Sequence, residues 1–279
     1  PALAQIDPAS GIDFVTVRSP GNAPWPGNGT PDDRAVGRGG VGYEYRIGKF
    51  EITTAQWVEF SNAAYDRPAS DRIPYLNVPQ FWGGVSTTPN TPGGRRWAVP
   101  AGRGMVPVGD LSWRAAAIYC NWLHNGKSTD RLAFLGGAYD VSTFGFIGNQ
   151  FTDQFTRSAG AKYFIPSWDE WLKAVHFDPN KGGDGVGGWW VGPYGSDSLP
   201  VAGLPPSQGG TGETNRATGL WDIPLGSYNL TTPWGLFDAS GGMAEWTEGI
   251  VQFFPDDPRF RIFDGADWSE PFGETIGTR

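Results

Sequence analysis

Apolar and polar positions alternate over residues 12–17 (Ile-Asp-Phe-Val-Thr-Val) and 43–47 (Tyr-Glu-Tyr-Arg-Ile), the two-residue period of a half-buried strand. Residues 50–52 complete a hairpin or a bend, and the Pro, Gly and Asn of residues 19–33 make a loop. The period then changes. Behind Thr53-x-x-Gln56, a capping box whose Thr hydroxyl accepts from the third helical amide, Trp57, Phe60 and Ala64 recur at the spacing of an amphipathic helix. A second helix opens at Asp110-Leu-Ser112, carries Trp113, Ala116, Ala117, Cys120 and Leu123 on one face, and stops at Gly126. A third opens with Ser167-x-x-Glu170, buries Trp171, Leu172 and Val175, and ends before Pro179. Residues 67–103 and 180–227 are turn-dominated excursions. Short helices among short strands and long loops predict an α+β fold.

Composition sharpens this picture. The 279 residues include 42 Gly and 24 Pro, close to the level of low-complexity chains, but also 14 Trp, 9 Tyr and 17 Phe, which disordered chains lack. The chain is therefore folded and loop-rich, and without a dividing linker or fixed repeat it reads as one domain over residues 12–279, preceded by an arm at 1–11. Charged residues are only 18%, so Gly, Ser, Thr, Asn and backbone must face solvent, which suits a secreted protein. Ala2-x-Ala4 has the small-residue spacing of a signal-cleavage remnant and points the same way. A net charge of −8 repels a phosphate backbone, which argues against nucleic acid as a partner. No apolar run reaches the roughly 18 residues of a membrane span. The single cysteine, Cys120, forbids an internal disulfide.

Several motifs fall away on inspection. Gly183-x-Gly185-x-x-Gly188 has dinucleotide spacing but follows a helix and leads into Trp189-Trp190, so it reads as a Gly loop. Gly126-Lys127-Ser128 lacks the earlier glycine of a phosphate loop. His124 and His176 stand on separate helices and read as helix-terminal polar residues, and Cys120 lies on an apolar stripe where a thiol behaves as a small hydrophobe. The acidic clusters Asp256-Asp257 and Asp264/Asp267/Glu270 read as exposed charge. More informative is residues 233–248, where Asp238 and Glu245 bracket Gly-rich backbone. Hard carboxylates at both ends, with carbonyls free to turn inward between them, describe either a calcium loop or an ordinary turn.

Taken in order, four segments resemble the formylglycine-generating enzyme family, the sulfatase-modifying-factor domain. Residues 48–57 (Gly-Lys-Phe-Glu-Ile-Thr-Thr-Ala-Gln-Trp) are similar to its G-x-Y/F-E-V-T-x-x-Q-Y/F motif, and residues 107–123 to its P-V-x-x-V-S-W helix with the later C-x-W-L. Residues 164–171 are similar to its R-L-P-T-E-A-E-W helix start, and residues 234–246 (Trp-Gly-Leu-Phe-Asp-Ala-Ser-Gly-Gly-Met-Ala-Glu-Trp) to its W-G-L-Y-D-M-S-G-N-V-W-E-W signature, the most specific of the four. The resemblance implies a variant of the C-type lectin-like fold with bound calcium. Carried over position by position, it implies Asp238, the carbonyls of Gly241 and Met243, and Glu245 as ligands, with a second calcium at Asn215, Arg216 and Asp222.

Departures from the family pattern bear on activity. Oxidising members hold copper with two cysteines that follow R-V-x-R-G-G-S-W, whereas residues 261–268 read Arg-Ile-Phe-Asp-Gly-Ala-Asp-Trp and no cysteine follows. The sulfoxide-synthase relatives bring iron through a His/His/Glu motif, and the two histidines here lie in separate segments. Neither copper nor iron is expected, and the eleven residues after Trp268 read as a shortened end. The expectation is a secreted, non-catalytic member serving as a calcium-stabilised scaffold for an extracellular protein or glycan. Trp82, Trp97, Trp189 and Trp190 lie in expected loops, where indole faces either receive such a ligand or pack the loops onto the core. The alternatives are a self-assembling cell-surface or matrix subunit, built as a homo-oligomer, and an enzyme of other chemistry that pairs two carboxylates in a cleft.

Overall fold

In the computed structural model, which describes residues 5–29, 33–87, 96–253, 257–269 and 276, the first three strands form one antiparallel sheet in chain order. They are β1 (Gln5–Ile6), β2 (Asp13–Val17) and β3 (Tyr45–Gly48). Val15 faces Ile47 and Val17 faces Tyr45 across β2 and β3, so the alternation in the sequence turns Val15, Val17 and Tyr45 inward. Residues 50–52 bend the chain rather than adding a strand.

Helix α1 (Thr54–Tyr65) follows, and its capping box is complete: the Thr53 hydroxyl accepts from the Gln56 amide, and the Gln56 side chain accepts from the Thr53 amide. Such a cap stabilises a helix by about 1 kcal/mol. The hairpin β4 (Val85–Ser86) and β5 (Trp97–Ala98) precedes α2 (Trp113–His124), which Ser112 caps. The expected stripe on α2 needs correction. Ala116 is only half-buried, while Ala115, Ile118, Tyr119 and Trp122 are buried with Trp113, Ala117, Cys120 and Leu123, because the helix is packed on several sides. Asn121 inside that packing is satisfied by the Phe134 and Tyr139 carbonyls and the Tyr139 amide.

A short helix, α3 (Leu132–Leu135), and a small hairpin, β6 (Phe146–Ile147) with β7 (Gln150–Phe151), lead to α4 (Trp168–His176). The second expected capping box, Ser167 with Glu170, is complete there. The pair β8 (Phe177–Asp178) and β9 (Gly188–Trp189) follows, and the chain closes with an antiparallel hairpin, β10 (Glu245–Val251) and β11 (Phe260–Asp264), whose register shifts between Trp246 and Ile250. Four short helices and small separate sheets make an α+β architecture, as the sequence pattern predicts.

The largest core cluster joins α1, α2 and α3 through Phe60, whose ring lies 4.8 Å from Trp57, 5.2 Å from Tyr119 and 5.5 Å from Trp122. A second packs Trp171, Leu172 and Val175 of α4 against Trp25, Phe177 and Trp189. Among the described residues no helix is long and apolar enough to cross a membrane. The expected leader remnant at residues 1–4 and the shortened end at 270–275 and 277–279 lie outside the described residues, as do Asp256 and Glu270.

Candidate cation loop and binding cleft

Residues 234–246 are held less by regular structure than by backbone bonds to distant segments. The Phe237 amide donates to the Lys49 carbonyl at 2.9 Å, Gly241 to Ala266 at 2.6 Å and Gly242 to Asn215 at 2.9 Å, and the Trp268 amide returns to the Gly242 carbonyl at 3.0 Å. Tyr194 and Thr214 both donate to the Ser240 carbonyl. Only glycine serves at positions 241 and 242: each has φ +92°, and a Cβ there would stand 2.7 Å from the Asn215 carbonyl or 2.6 Å from Glu51 Oε1.

Asp238 is buried at the start of this loop, in a left-handed conformation (φ +54°), and accepts from the Gly226 amide at 2.6 Å. Burial pushes its carboxyl up to about 6. Glu51, carried in from the bend after β3, accepts from the Met243 amide through Oε1 at 3.3 Å, while its Oε2 is sealed from solvent without a hydrogen-bond partner. Burial first, and the charge of Asp238 second, raise the Glu51 carboxyl well above the carboxylate range. Glu245, at the far end, reaches over Gly265, whose bare Cα makes room for Oε2.

The loop thus gathers oxygen donors of the kind calcium takes, with buried carboxyls that are costly to ionise where they stand. Among the described residues no three Asp, Glu, His or Cys side chains converge as a metal cluster, so an ion here would need main-chain oxygens beside the carboxylates. The residues expected for a second calcium are otherwise engaged. Asn215 Oδ1 accepts the Thr218 hydroxyl at 2.5 Å, the carbonyl of Asn215 accepts Gly242, and Asp222 is neutralised by Arg103 at 2.7 Å. Arg216 is buried beside them.

A charged network fixes the strand that leaves the loop. Arg157 bridges Glu170 of α4 (2.6 Å) and Glu248 of β10 (3.1 Å), and both carboxylates are almost fully buried. Tyr139 donates to Glu248 at 2.8 Å and Tyr43 to Glu170 at 2.9 Å. Residues 43, 139, 157 and 248 give no sign of meeting in the sequence, although Glu248 closes the segment singled out there.

Beside the loop lies a cleft of about 670 Å³, walled mainly by apolar and aromatic groups. Phe14 stacks on Tyr163 at 6.4 Å in one part of its wall. Trp246 meets Phe263 edge-on at 5.6 Å, and Phe81 meets Trp268 at 5.5 Å, in another. Trp57, Tyr119 and Cys120 line it from α1 and α2, and Met243 from the loop. Phe263 is 46% exposed, so the cleft reaches the surface there.

The four tryptophans, read from the sequence as either receiving a ligand or packing the loops, divide by burial. Trp82 and Trp189 are buried, so the expectation of open indole faces fails for them: Trp82 packs edge-on to Trp97 at 6.2 Å, and Trp189 fills space between Trp25 and Phe177. Trp97 is half-buried against Tyr65, and the half-buried Trp190 is covered by Lys181 at 3.8 Å. Cys120 is buried, and burial pushes its thiol far up. His124 accepts from the Lys162 amide at 3.1 Å, and His176 is fully buried. Asp264 is buried, against the expectation of exposed charge, and accepts from the Trp168 indole, while Asp267 accepts from Ser269.

Comparison with known proteins agrees with this fold. Residues 29–276 match the model of the sulfatase-modifying factor enzyme 1-like domain. The crystal structure of CarF superposes with a TM-score of 0.52 at 18% identity, covering 95% of this chain and 90% of that one, a likeness of fold alone. No curated protein matches the chain.

Proposed function

The chain belongs to the sulfatase-modifying factor enzyme 1-like domain family, and from that premise we propose that it uses the fold as a cation-stabilised binding scaffold outside the cell, with no oxidase chemistry. The observation that carries this reading is the apolar cleft set against the signature loop. At about 670 Å³ it falls within the size range of preformed ligand sites, and it places aromatic faces where an apolar side chain of a protein partner, or the face of a sugar ring, can desolvate. Its largely apolar wall favours a protein segment over a glycan. The only thiol in the sequence, Cys120, is sealed in the wall with its pKa raised, the environment of an inert cysteine rather than a metal-binding or nucleophilic one.

Calcium is the group that the loop chemistry suits. Its role would be to neutralise the buried carboxylates and tie the loop ends that shape the cleft. The chain's own residues do the recognition: Trp246, Phe263 and Trp268 offer surface, and the bonds from Asn215, Ala266 and Glu51 keep the wall rigid.

The test is selection of a displayed random-peptide library on the wild-type protein and on Ala116→Trp, a substitution that fills the cleft from α2. Peptides enriched on the wild type and lost on a folded Ala116→Trp variant support the reading. Equal enrichment on both, or none on the wild type, refutes it.

A specific observation also favours lateral assembly. The β6–β7 and β10–β11 hairpins are joined by Gln150, which bonds Asp257 and Arg259, and they present Phe146, Ile147, Phe155, Phe253 and Phe260, each 42–76% exposed. Exposed apolar groups at that density mark interaction surfaces. Concentration-dependent mass by light scattering, abolished by Phe146→Ser with Ile147→Ser, tests it.

A further inference from the structure

We infer that Glu51 is a cation ligand in its own right, one that reaches the signature loop from the bend after β3. The inference rests on the calcium part of the proposed function and goes beyond it, since the loop's sequence signature contains no counterpart of this residue.

Three observations converge on it. First, Glu51 Oε2 is sealed from solvent with no hydrogen-bond partner, while Oε1 is occupied by the Met243 amide at 3.3 Å. A buried carboxylate oxygen without a donor is costly to keep, and in native structures such an atom marks a missing partner. Second, the loop that Glu51 touches holds another buried carboxyl, Asp238, which accepts from the Gly226 amide at 2.6 Å. Two buried carboxyls can both be ionised only with a compensating cation; without one, a proton takes its place on one of them. Third, the basic neighbour is turned to other partners. Lys49, the nearest in sequence, is held by Asp13 at 3.5 Å and lies over the Phe50 and Phe237 rings. The geometry around the acid is also built for close approach: Gly242 lacks the Cβ that would press on Oε1 at 2.6 Å.

The chemistry points to a hard divalent ion. Carboxylate and carbonyl oxygens without imidazole or thiolate suit calcium, which accepts six to eight such donors in flexible geometry. Glu51 and Asp238, with the Gly241 and Met243 carbonyls, supply donors from two distant parts of the chain. On this reading the ion does more than order a loop: it couples the first sheet and α1 to the C-terminal hairpin.

The experiment uses the full chain stripped of metal by chelation and titrated with calcium alone by calorimetry, with terbium as a luminescent stand-in excited through tryptophan. Glu51→Gln is the informative variant, because its amide oxygen still accepts from Met243 while the charge and the second carboxylate oxygen are gone. Asp238→Asn serves as the control within the signature. The expected result is one calcium per wild-type chain, with affinity reduced at least tenfold in both variants and a matching loss of terbium luminescence. If Glu51→Gln binds calcium as the wild type does while Asp238→Asn is weakened, Glu51 is a brace for the loop and the inference falls with the calcium site intact. If the wild type binds no calcium, the inference and the calcium part of the proposed function fall together. If Glu51→Gln melts at the wild-type temperature when both are stripped of metal, its weakened binding reports lost ligation; if it is unfolded, Glu51→Asp, which retracts the carboxylate but keeps the charge, must show an intermediate affinity.

Discussion

Replacing Arg157 by Met removes the one cation shared by Glu170 and Glu248, and its cost can be worked from the burial of the two acids. Their side chains are 1% and 4% exposed, and Arg157 itself is only 20% exposed, so water cannot take over its role. Removing one member of a buried ion pair costs about 3–5 kcal/mol, because the partner charge stays buried and unpaired. In a chain of this length 1 kcal/mol shifts the melting temperature by about 2–4 °C, so the variant should melt about 10 °C lower at pH 7. The pH dependence carries the sign. Burial raises the Glu248 carboxyl even with Arg157 present, since desolvation outweighs the guanidinium. Without Arg157 that pKa rises further, the folded state holds a proton that the unfolded state gives up, and stability falls as pH climbs from the ordinary carboxylate value toward the raised one. Urea unfolding between pH 5 and pH 8 should therefore show a deficit that shrinks toward pH 5. Adding Glu248→Gln to the variant should recover part of the loss. A cost under about 1 kcal/mol at pH 7 with no pH dependence would refute the reasoning, since it would mean that the acids are solvated or neutral already.

Other measurements reach other parts of the molecule. Metal analysis of the purified protein should find calcium, and chelation should lower the melting point by the several degrees that about 2–3 kcal/mol of binding at a hundredfold excess supplies; copper or iron would overturn the proposal that oxidase chemistry is absent. Cys120, buried with its thiol pKa raised, should resist a thiol reagent in native buffer and react once urea unfolds the chain, so reaction within minutes in buffer would contradict its burial. His176 is pushed down to about 4 by burial, so its neutral form stabilises the fold fully above about pH 6.5, and that contribution, about 3 kcal/mol, is lost as pH falls toward 4. His176→Leu should flatten this part of the urea-midpoint profile. Gly242→Ala forces a methyl against Glu51 Oε1 at φ +92° and should cost about 2 kcal/mol, read from the same midpoints.

The local rules were legible in the sequence. Thr53/Gln56 and Ser167/Glu170 start α1 and α4 where their caps place them, because a capping box is written within four residues. The family signature at residues 234–246 was legible for the same reason. What escaped was set by distance. The stripe on α2 was drawn through Ala116, but Ala115 faces the core, since neighbours on several sides decide what that helix buries. The β10–β11 hairpin hid because Glu245-Trp-Thr-Glu-Gly does not alternate and its register slips. Trp82 and Trp189 could be read either way from the sequence, and both are buried, Trp189 on β9 between Trp25 and Phe177. Glu51 stood in a recognised motif, but nothing in that motif says that its carboxylate meets Met243, 192 positions away.

The stitching of the signature loop also dictates an order of events during synthesis. Lys49, Glu51, Tyr194, Asn215 and Ala266 all bond to residues 237–243, so the loop cannot close until the chain has been made through residue 266. Helices α1 and α2 can form early from their own caps, and the first sheet pairs within residues 5–48, but the bend that carries Glu51 must wait for a partner made near the end. High contact order of this kind slows folding and leaves aromatic surface open meanwhile. A nascent chain stalled before residue 234 should accordingly bind holdase chaperones until the last segment arrives.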